Sequence, residues 1–321
     1  MSRFTSAFAP KMEAMLENRI ARGLKESAHF RSLKLLDTFC AVRYPQSNEL
    51  TAEIAHAWLQ AETATSTNGL LQKASSIRQL GKYLNAVGEE AYVLPEKFAP
   101  QRKNFAPYIF SDSELSKLFA EIDRLGQDRT EPFLHVIAPV LFRLIYTCGL
   151  RPGEGRELLR ENIDLDAGEL LLKETKRSRD RIIVMSDDMA TLCKEYDERR
   201  NIIGGSSPYF FPATNGGSFS SAKLSATLNK AWTLATCTPH NPISRRVRIY
   251  DLRHRFASAC LNRWLDEGRD LMVMLPYLRS YMGHDSIDET AYYIHILPEN
   301  LAKSPAVDWK KFNDMFPEVD L

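Results

Sequence analysis

The carboxyl-terminal part of the sequence contains residues whose types and order suit the cutting of a phosphodiester bond. Tyr250-Asp251-Leu252-Arg253-His254 opens an apolar, helix-like run, Gly283-His284 follows, and Tyr293 lies nine residues further on. An arginine on the first turn of a helix can bind an anion, a histidine can exchange protons near neutral pH, and a tyrosine can act as a nucleophile. This triplet predicts a phosphodiester-cutting site within residues 250–295.

A second arginine with a distinctive local setting lies upstream, in Thr147-Cys148-Gly149-Leu150-Arg151-Pro152-Gly153-Glu154. Gly149 suits the left-handed end of one helix, and Pro152 suits the first turn of the next. We therefore expect Arg151 at a sharp corner between two helices. Backbone N–H groups at such a corner favour anions.

The hydrophobic period changes after Gly168, where residues 170–173 and 181–185 read as two β-strands. Residues 174–180 between them form a polar, basic turn that carries Lys176. A lysine at a hairpin tip can reach into a ligand groove. A solvated hairpin is the preferred alternative for this feature taken alone.

Together these motifs resemble the tyrosine recombinase (phage integrase) family over about residues 106–296. The catalytic set that the resemblance implies is Arg151, Lys176, Tyr250, Arg253, His284 and Tyr293, with Glu154 and His254 as supporting residues. The resemblance implies a site-specific DNA recombinase that cleaves and rejoins strands through a covalent 3′-phosphotyrosyl intermediate. It implies neither a metal, nor ATP, nor another cofactor. The alternatives are a cleavage-deficient DNA-binding relative and a type IB topoisomerase-like activity.

Each implied role fits the chemistry of its residue. Arg151 and Arg253 would clamp the scissile phosphate, because forked and permanently charged guanidinium groups match its oxygens. Tyr293 would attack, and Lys176 would protonate the leaving 5′-hydroxyl, with its pKa lowered by neighbouring arginines. His284 would hydrogen-bond the phosphate. Preorganised donors of this kind commonly contribute about 3–4 kcal/mol each.

The sequence departs from the family pattern at three points. Tyr250 stands where the family usually has histidine, and a phenol is a poor base at pH 7. His254, one helical turn away, is an alternative base, although a structural histidine is the preferred interpretation. Tyr292 lies beside Tyr293, and the register favours Tyr293 as the nucleophile. The stretch of 31 residues from Arg253 to His284 is longer than expected, and we interpret residues 264–268 and 275–279 as surface elaboration.

The expected partners are double-stranded DNA with specific recombination sites and three further copies of the chain in a homo-tetramer. An accessory DNA-binding protein is a further candidate partner. The residues expected to contact DNA are Arg102, Lys103, Arg177, Arg179, Arg245, Arg246 and Arg248. Overall charge does not identify a partner, because 42 Lys+Arg against 41 Asp+Glu leave a net charge of +1. A C-terminal helix around Trp309 is a candidate contact between protomers.

The expected fold is mainly α. Residues 1–105 would form an N-terminal four-helix core-binding (SAM-like) DNA-clamp domain with a basic linker, and its helices are predicted at 11–24, 28–43, 51–62 and 68–86. Residues 106–321 would form a mainly helical catalytic domain with a small antiparallel β-sheet and a C-terminal docking tail. No signal peptide or long apolar run is present, and the five scattered cysteines have no metal-ligand spacing. A cytoplasmic, nucleoid-associated protein without membrane segments is expected.

Overall fold

The computed structural model describes residues 3–24, 26–61, 67–98, 107–173, 180–203, 205–237 and 246–295. The chain divides into two compact units, Met1–Phe105 and Ala106–Leu321. None of the helices in the described ranges is long and apolar enough to cross a membrane.

The first unit is a bundle of four helices. These are α1 (Ala9–Ala21), α2 (Ser27–Arg43), α3 (Ala52–Gln60) and α4 (Thr67–Ala86), and a short 3-10 turn follows at Glu96–Phe98. Their apolar faces meet in one core, which includes the buried side chains of Met12, Leu36, Trp58 and Leu80. The four predicted helices are confirmed, with ends displaced by a few residues.

A buried carboxylate anchors the beginning of this unit. Asp37 on α2 accepts hydrogen bonds from the backbone N–H groups of Thr5 and Ser6 at 2.8–3.0 Å and from the Thr5 hydroxyl at 3.1 Å. Burial raises the pKa of Asp37, but these hydrogen bonds outweigh it and the net pKa is lowered. The charged carboxylate therefore fixes the segment that precedes α1 to the bundle.

The second unit contains the remaining helices and a small sheet. Its helices are α5 (Asp112–Asp123), α6 (Leu134–Thr147), α7 (Pro152–Arg156), α8 (Asp187–Ile203), α9 (Ser221–Thr236), α10 (Ile249–Asp266), α11 (Leu271–Met282) and α12 (Ile287–His295). Its strands are β1 (Ile163–Asp164), β2 (Glu169–Leu172) and β3 (Arg181–Val184). The expected mainly helical fold with a small antiparallel sheet is confirmed.

Helix α6 is the centre of this unit, as its apolar sequence predicts. Ile137, Leu141, Leu144 and Ile145 are completely buried. The helix begins at Leu134 and contains Pro139. It ends in the turn that carries Arg151, so the most buried helix of the unit holds one of the site's arginines in place.

The sheet has the order β1-β2-β3, with antiparallel pairing throughout. Leu170 pairs with Ile183, and Leu172 pairs with Arg181. Ile183 is buried, whereas Ile182 and Val184 are more than half exposed. Arg181 therefore shares the inner face of β3 with Ile183, because alternate residues of a strand point to the same side. Strand β1 was not predicted, since two residues carry no detectable period.

Helices α10, α11 and α12 pack around a separate apolar cluster. Leu275 and Leu278 on α11 are buried in it, together with Leu261 on α10. The interpretation of residues 275–279 as surface elaboration was therefore wrong. These residues belong to a helix with a buried face that supports the site, and its last residue is Met282.

Candidate active site

The end of α11 is where the candidate catalytic residues meet. Gly283 follows the helix in a left-handed conformation, with φ +65°, and His284 comes next. Arg151 caps the N-terminus of α7, and Arg253 is the fifth residue of α10. Arg253 therefore lies at the start of the second turn rather than on the first turn, where the sequence placed it.

Three consecutive carbonyl groups at this helix end each accept a hydrogen bond from a different arginine. The pairs are Arg181 Nε with Tyr281 O at 3.0 Å, Arg253 Nη2 with Met282 O at 2.7 Å, and Arg151 Nη2 with Gly283 O. The last carbonyls of a helix lack intrahelical partners and lie at the negative end of its dipole. Guanidinium groups from β3, α10 and α7 are therefore drawn to one point.

Glu154 joins two of these arginines through a shared carboxylate. Its Oε1 accepts from Arg151 Nη1 at 2.9 Å and from Arg181 Nη1 at 3.0 Å. Its Oε2 accepts from the Arg151 backbone N–H at 2.8 Å and from Arg181 Nη2 at 2.8 Å. Burial raises the pKa of Glu154, but the hydrogen bonds and charges of Arg181 and Arg151 lower it by more. The net pKa is therefore below its ordinary value. Two guanidinium groups share this one carboxylate, and the guanidinium of Arg253 is held at the same helix end. The excess of positive charge suits an anion.

The guanidinium group of Arg253 is fully buried, with 0% of the residue exposed. Its Nη1 donates to Gly149 O at 2.5 Å, and burial lowers its pKa. Its Nε is buried without a hydrogen-bond partner among the described residues. A buried charged donor without a partner is costly. A phosphate oxygen would satisfy this N–H group and so offset the cost.

His284 is buried and fixed from α12. Its Nδ1 lies 2.8 Å from the Thr290 hydroxyl oxygen. Burial, followed by the positive charges of Arg253, Arg151 and Arg181, lowers the pKa of His284 to about 3. The imidazole is therefore neutral at pH 7 and presents one N–H donor.

Tyr293 is the tyrosine that faces this group. Only 2% of Tyr293 is exposed, against 39% of Tyr292, which lies on another side of α12. The Tyr293 ring stacks on His284 with centroids 5.9 Å apart and planes 14° apart. Burial raises the pKa of Tyr293, while the charge of Arg253 opposes that rise. Loss of the phenolic proton therefore needs a proton acceptor near the Tyr293 oxygen.

Two further rings lie beside Tyr293. The His254 ring is 5.4 Å from the Tyr293 ring and 5.0 Å from the ring of half-buried Tyr250. Tyr250 also faces the Arg253 guanidinium, at 6.0 Å from its ring centre. Burial lowers the pKa of His254 to about 4, and its Nδ1 has no hydrogen-bond partner in the described ranges. His254 is thus a neutral imidazole with an unused polar atom near the phenol.

The structure brings seven of the predicted residues together: Arg151, Glu154, Tyr250, Arg253, His254, His284 and Tyr293. Six others lie outside the described residues: Arg102, Lys103, Lys176, Arg177, Arg179 and Arg245. Arg246 is exposed, whereas Arg248 caps α10 and its Nη2 donates to Asp251 at 2.9 Å. In the described part of the chain no group of three His, Cys, Asp or Glu side chains could hold a metal ion.

Sequence reasoning counted Arg181 only among the arginines near Lys176, and it gave no role to the carbonyl groups of residues 149 and 281–283. Arg181 carried a signal, because strand alternation places it on the buried face with Ile183, and a buried arginine needs acceptors. The carbonyl groups carried no signal, since every residue has one.

Comparison with known proteins leads to the same family that the sequence motifs resemble. The sequence model of the phage integrase family matches residues 112–300. A putative integrase/recombinase of Sinorhizobium fredii is 26% identical over 306 residues, covering 92% of this chain and 94% of that protein. The tyrosine recombinase XerC of Oceanobacillus iheyensis is 25% identical over 252 residues, covering 76% of this chain and 75% of that protein.

Solved structures share the fold at low identity. The XerH site-specific recombinase bound to its difH substrate has a TM-score of 0.61 at 16% identity, covering 90% of this chain and 82% of that one. A lambda integrase tetramer bound to a Holliday junction has a TM-score of 0.57 at 14% identity, covering 87% and 78%.

Proposed function

The chain belongs to the phage integrase family of tyrosine recombinases, and we propose that it cuts and rejoins DNA at specific sites through a covalent 3′-phosphotyrosyl intermediate. The observation that carries the proposal is the meeting of Arg151, Arg253, His284 and Tyr293 at the end of α11. An anion-binding cluster next to a buried phenol suits attack on a phosphodiester.

In the proposed cleavage step the Tyr293 oxygen attacks the scissile phosphorus, and the bond from phosphorus to the 5′-oxygen breaks. The leaving oxygen takes a proton from Lys176, and the phosphate stays joined to Tyr293 at the 3′ end. Rejoining reverses the step, because a 5′-hydroxyl attacks the phosphotyrosyl bond and releases the phenol. The ester conserves the bond energy, so no ATP is consumed.

Arg151 and Arg253 hold the two non-bridging oxygens as negative charge builds on them. Each guanidinium has five N–H groups, and the contacts to Glu154, Gly149 and the α11 carbonyls use only some of these. The buried Nε of Arg253 is the donor most in need of an acceptor. Neutral His284 adds a hydrogen bond without adding a charge.

The tyrosine at position 250 affects which group can accept the proton of Tyr293. The phenol of Tyr250 can donate a hydrogen bond to phosphate but is a weak base. His254 is neutral at pH 7, and its ring lies beside that of Tyr293, which makes it the second candidate acceptor. Changing Tyr250→His tests this departure. Faster cleavage would mean that Tyr250 limits the rate, and slower cleavage would mean that the site is built around a phenol.

The proposal extends to DNA and assembly. The unit of residues 1–105 would clamp the duplex, and the basic residues Arg102, Lys103, Arg177, Arg179, Arg245, Arg246 and Arg248 would contact phosphates. Four copies would act on two sites, because the lambda integrase neighbour is a tetramer on a Holliday junction. An accessory DNA-binding protein and a role at the nucleoid are part of the same proposal.

The test uses the full chain and a nicked duplex that traps the covalent product. The duplex carries the site that the wild-type protein selects from randomised DNA. We expect an SDS-resistant adduct that disappears in Tyr293→Phe and persists in the matched control Tyr292→Phe. An adduct that persists in Tyr293→Phe and disappears in Tyr292→Phe would overturn the assignment of the nucleophile.

Two other outcomes separate the alternatives. Tight and specific binding without any adduct would support a cleavage-deficient DNA-binding relative, which the departure at Tyr250 would explain. Relaxation of supercoiled plasmids that lack the selected site would support a type IB topoisomerase-like activity. Recombination that needs two selected sites would support the recombinase.

A further inference from the structure

Arg181 makes contacts that the proposed chemistry leaves unexplained. It is the first residue of β3, and only 10% of its side chain is exposed. All three guanidinium nitrogens are used, because Nε donates to Tyr281 O at 3.0 Å while Nη1 and Nη2 donate to the two oxygens of Glu154 at 3.0 and 2.8 Å. This paired geometry is among the strongest and most directional that an ion pair can adopt.

These contacts hold two parts of the site in place. One is Glu154, whose oxygens also hold the Nη1 and the backbone N–H of Arg151. The other is the end of α11, whose next two carbonyl groups hold Arg253 and Arg151. Arg151 is thus bound on one side to Glu154 and on the other to Gly283 O, and Arg181 is attached to both supports.

We propose that Arg181 is a positioning residue of the strand-transfer reaction, because it holds Glu154 and the end of α11 at the separation that directs Arg151 toward the phosphate. The inference rests on the proposed recombinase function. Arg181 itself does not touch the reacting atoms. Without Arg181, the Glu154 carboxylate can rotate and pair with Arg151 alone. The Arg151 guanidinium can then turn away from the phosphate. A displacement of about 1 Å at a reacting group can cost about 100-fold in rate.

The forked shape of arginine is needed for this role. A lysine at position 181 would keep the positive charge, but one ammonium group cannot span both oxygens of Glu154 and the Tyr281 carbonyl with the same planar geometry. Arg181→Lys therefore separates the effect of charge from the effect of geometry.

The same unit offers a matched control away from the site. Arg160 donates from Nε to both oxygens of Asp197, at 2.9 and 3.0 Å, and from Nη1 to the Ile163 carbonyl at 3.0 Å. It is therefore also an arginine that joins one carboxylate to one carbonyl. Loss of either arginine removes a similar set of contacts, but only Arg181 is connected to Arg151.

The experiment measures three quantities for each variant: the single-turnover rate of adduct formation at saturating nicked duplex, the Kd for that duplex, and the Tm. We expect Arg181→Met to slow adduct formation about 30- to 100-fold while Kd changes less than about 3-fold. Arg160→Met should also lower Tm, by less than Arg181→Met because the Arg160 side chain is 36% exposed against 10% for Arg181. It should leave the cleavage rate within about 3-fold of wild type. Arg181→Lys should recover only part of the rate.

A double-mutant cycle tests whether Arg181 acts through Glu154. We expect the double variant Arg181→Met, Glu154→Gln to be no slower than the slower single variant, because both remove the same support. Additive losses in rate would overturn the inference. A folded Arg181→Met protein that cleaves at the wild-type rate would overturn it as well. Failure of wild type to form any adduct would instead count against the proposed function, so the two failures are distinguishable.

Discussion

Gly283 gives the sharpest test of how the helix end organises the site, because the chain supplies a matched glycine. Gly283 ends α11 with φ +65°, and Gly268 ends α10 with φ +68°. Both make the same pattern of backbone bonds: Gly283 N–H to Ser280 O and Gly268 N–H to Leu265 O, each followed by a bond that reaches back five residues. Replacement of either by alanine imposes the same left-handed conformation on an L-residue.

The two sites differ in what the added methyl group meets. At Gly268 nothing lies within 4 Å of the new Cβ, whereas at Gly283 the Nη1 of Arg181 is 2.8 Å away. The guanidinium can move aside, but it then gives up its hydrogen bond to Glu154. The left-handed conformation costs about 1 kcal/mol in both variants. Loss of one charge-assisted hydrogen bond adds about 1.5–3 kcal/mol in Gly283→Ala.

We therefore expect Gly268→Ala to lower the Tm by about 3 °C and Gly283→Ala to lower it by about 9 °C, at roughly 2–4 °C per kcal/mol. Differential scanning calorimetry of the full chain measures both. Adduct formation on the nicked duplex should slow by about 10-fold or more in Gly283→Ala and stay unchanged in Gly268→Ala. Equal Tm shifts together with wild-type cleavage in Gly283→Ala would refute the reasoning.

Other predictions concern the same unit and the bundle. Burial lowers the pKa of His254 to about 4 and that of His284 to about 3, so the unfolded chain binds protons that the folded chain excludes as the pH falls below about 6.5. The free energy of unfolding, measured in urea, should fall between about pH 6.5 and 4, by at most about 1.4 kcal/mol per pH unit for each histidine. In His284→Gln it should fall less steeply with pH. Equal slopes in the variant and in wild type would contradict this. Arg253→Lys should slow cleavage about 100- to 1,000-fold with little change in Kd, because one ammonium cannot bridge two carbonyl groups and still hold phosphate; a wild-type rate would count against the clamp. Asp37→Asn should lower the free energy of unfolding by about 2 kcal/mol and expose residues 3–8 to limited proteolysis; an unchanged cleavage pattern would argue against the anchor.

Much of the fold follows from local pattern. The helices carry periods of three and four residues. Ser111 and Glu114 form a capping box, the motif that a serine followed three residues later by a glutamate favours. Helix α11 was misjudged because the stretch from Arg253 to His284 is longer than the family pattern, and the extra length was assigned to the surface. The helix also contains Pro276, and proline is usually unfavourable in a helix interior. Packing of Leu275 and Leu278 stabilises the helix despite the proline.

The site was predictable in residue types and less so in contacts. Residue types and their spacing indicated Arg151, Arg253, His284 and Tyr293, because cleavage of a phosphodiester needs anion-binding groups, a hydrogen-bond donor and a nucleophile. Their partners lie far away in sequence: 104 residues separate Arg253 from Gly149, and 132 separate Arg151 from Gly283. Such contacts arise from tertiary packing, which no local pattern encodes. The inward side of β3 was the one clue to Arg181.

The convergence on the end of α11 also sets an order of events during biosynthesis. The ribosome releases the chain from its N-terminus, so residues 151, 181 and 253 emerge before the carbonyl groups of residues 281–283 exist. Until those carbonyl groups are made, the three guanidinium groups lack the acceptors that hold them together at the helix end. A polypeptide that ends before α11 would therefore lack both the carbonyl groups that hold these arginines and the tyrosine proposed as the nucleophile. The proposed cleavage would become possible only once α11 and α12 are made.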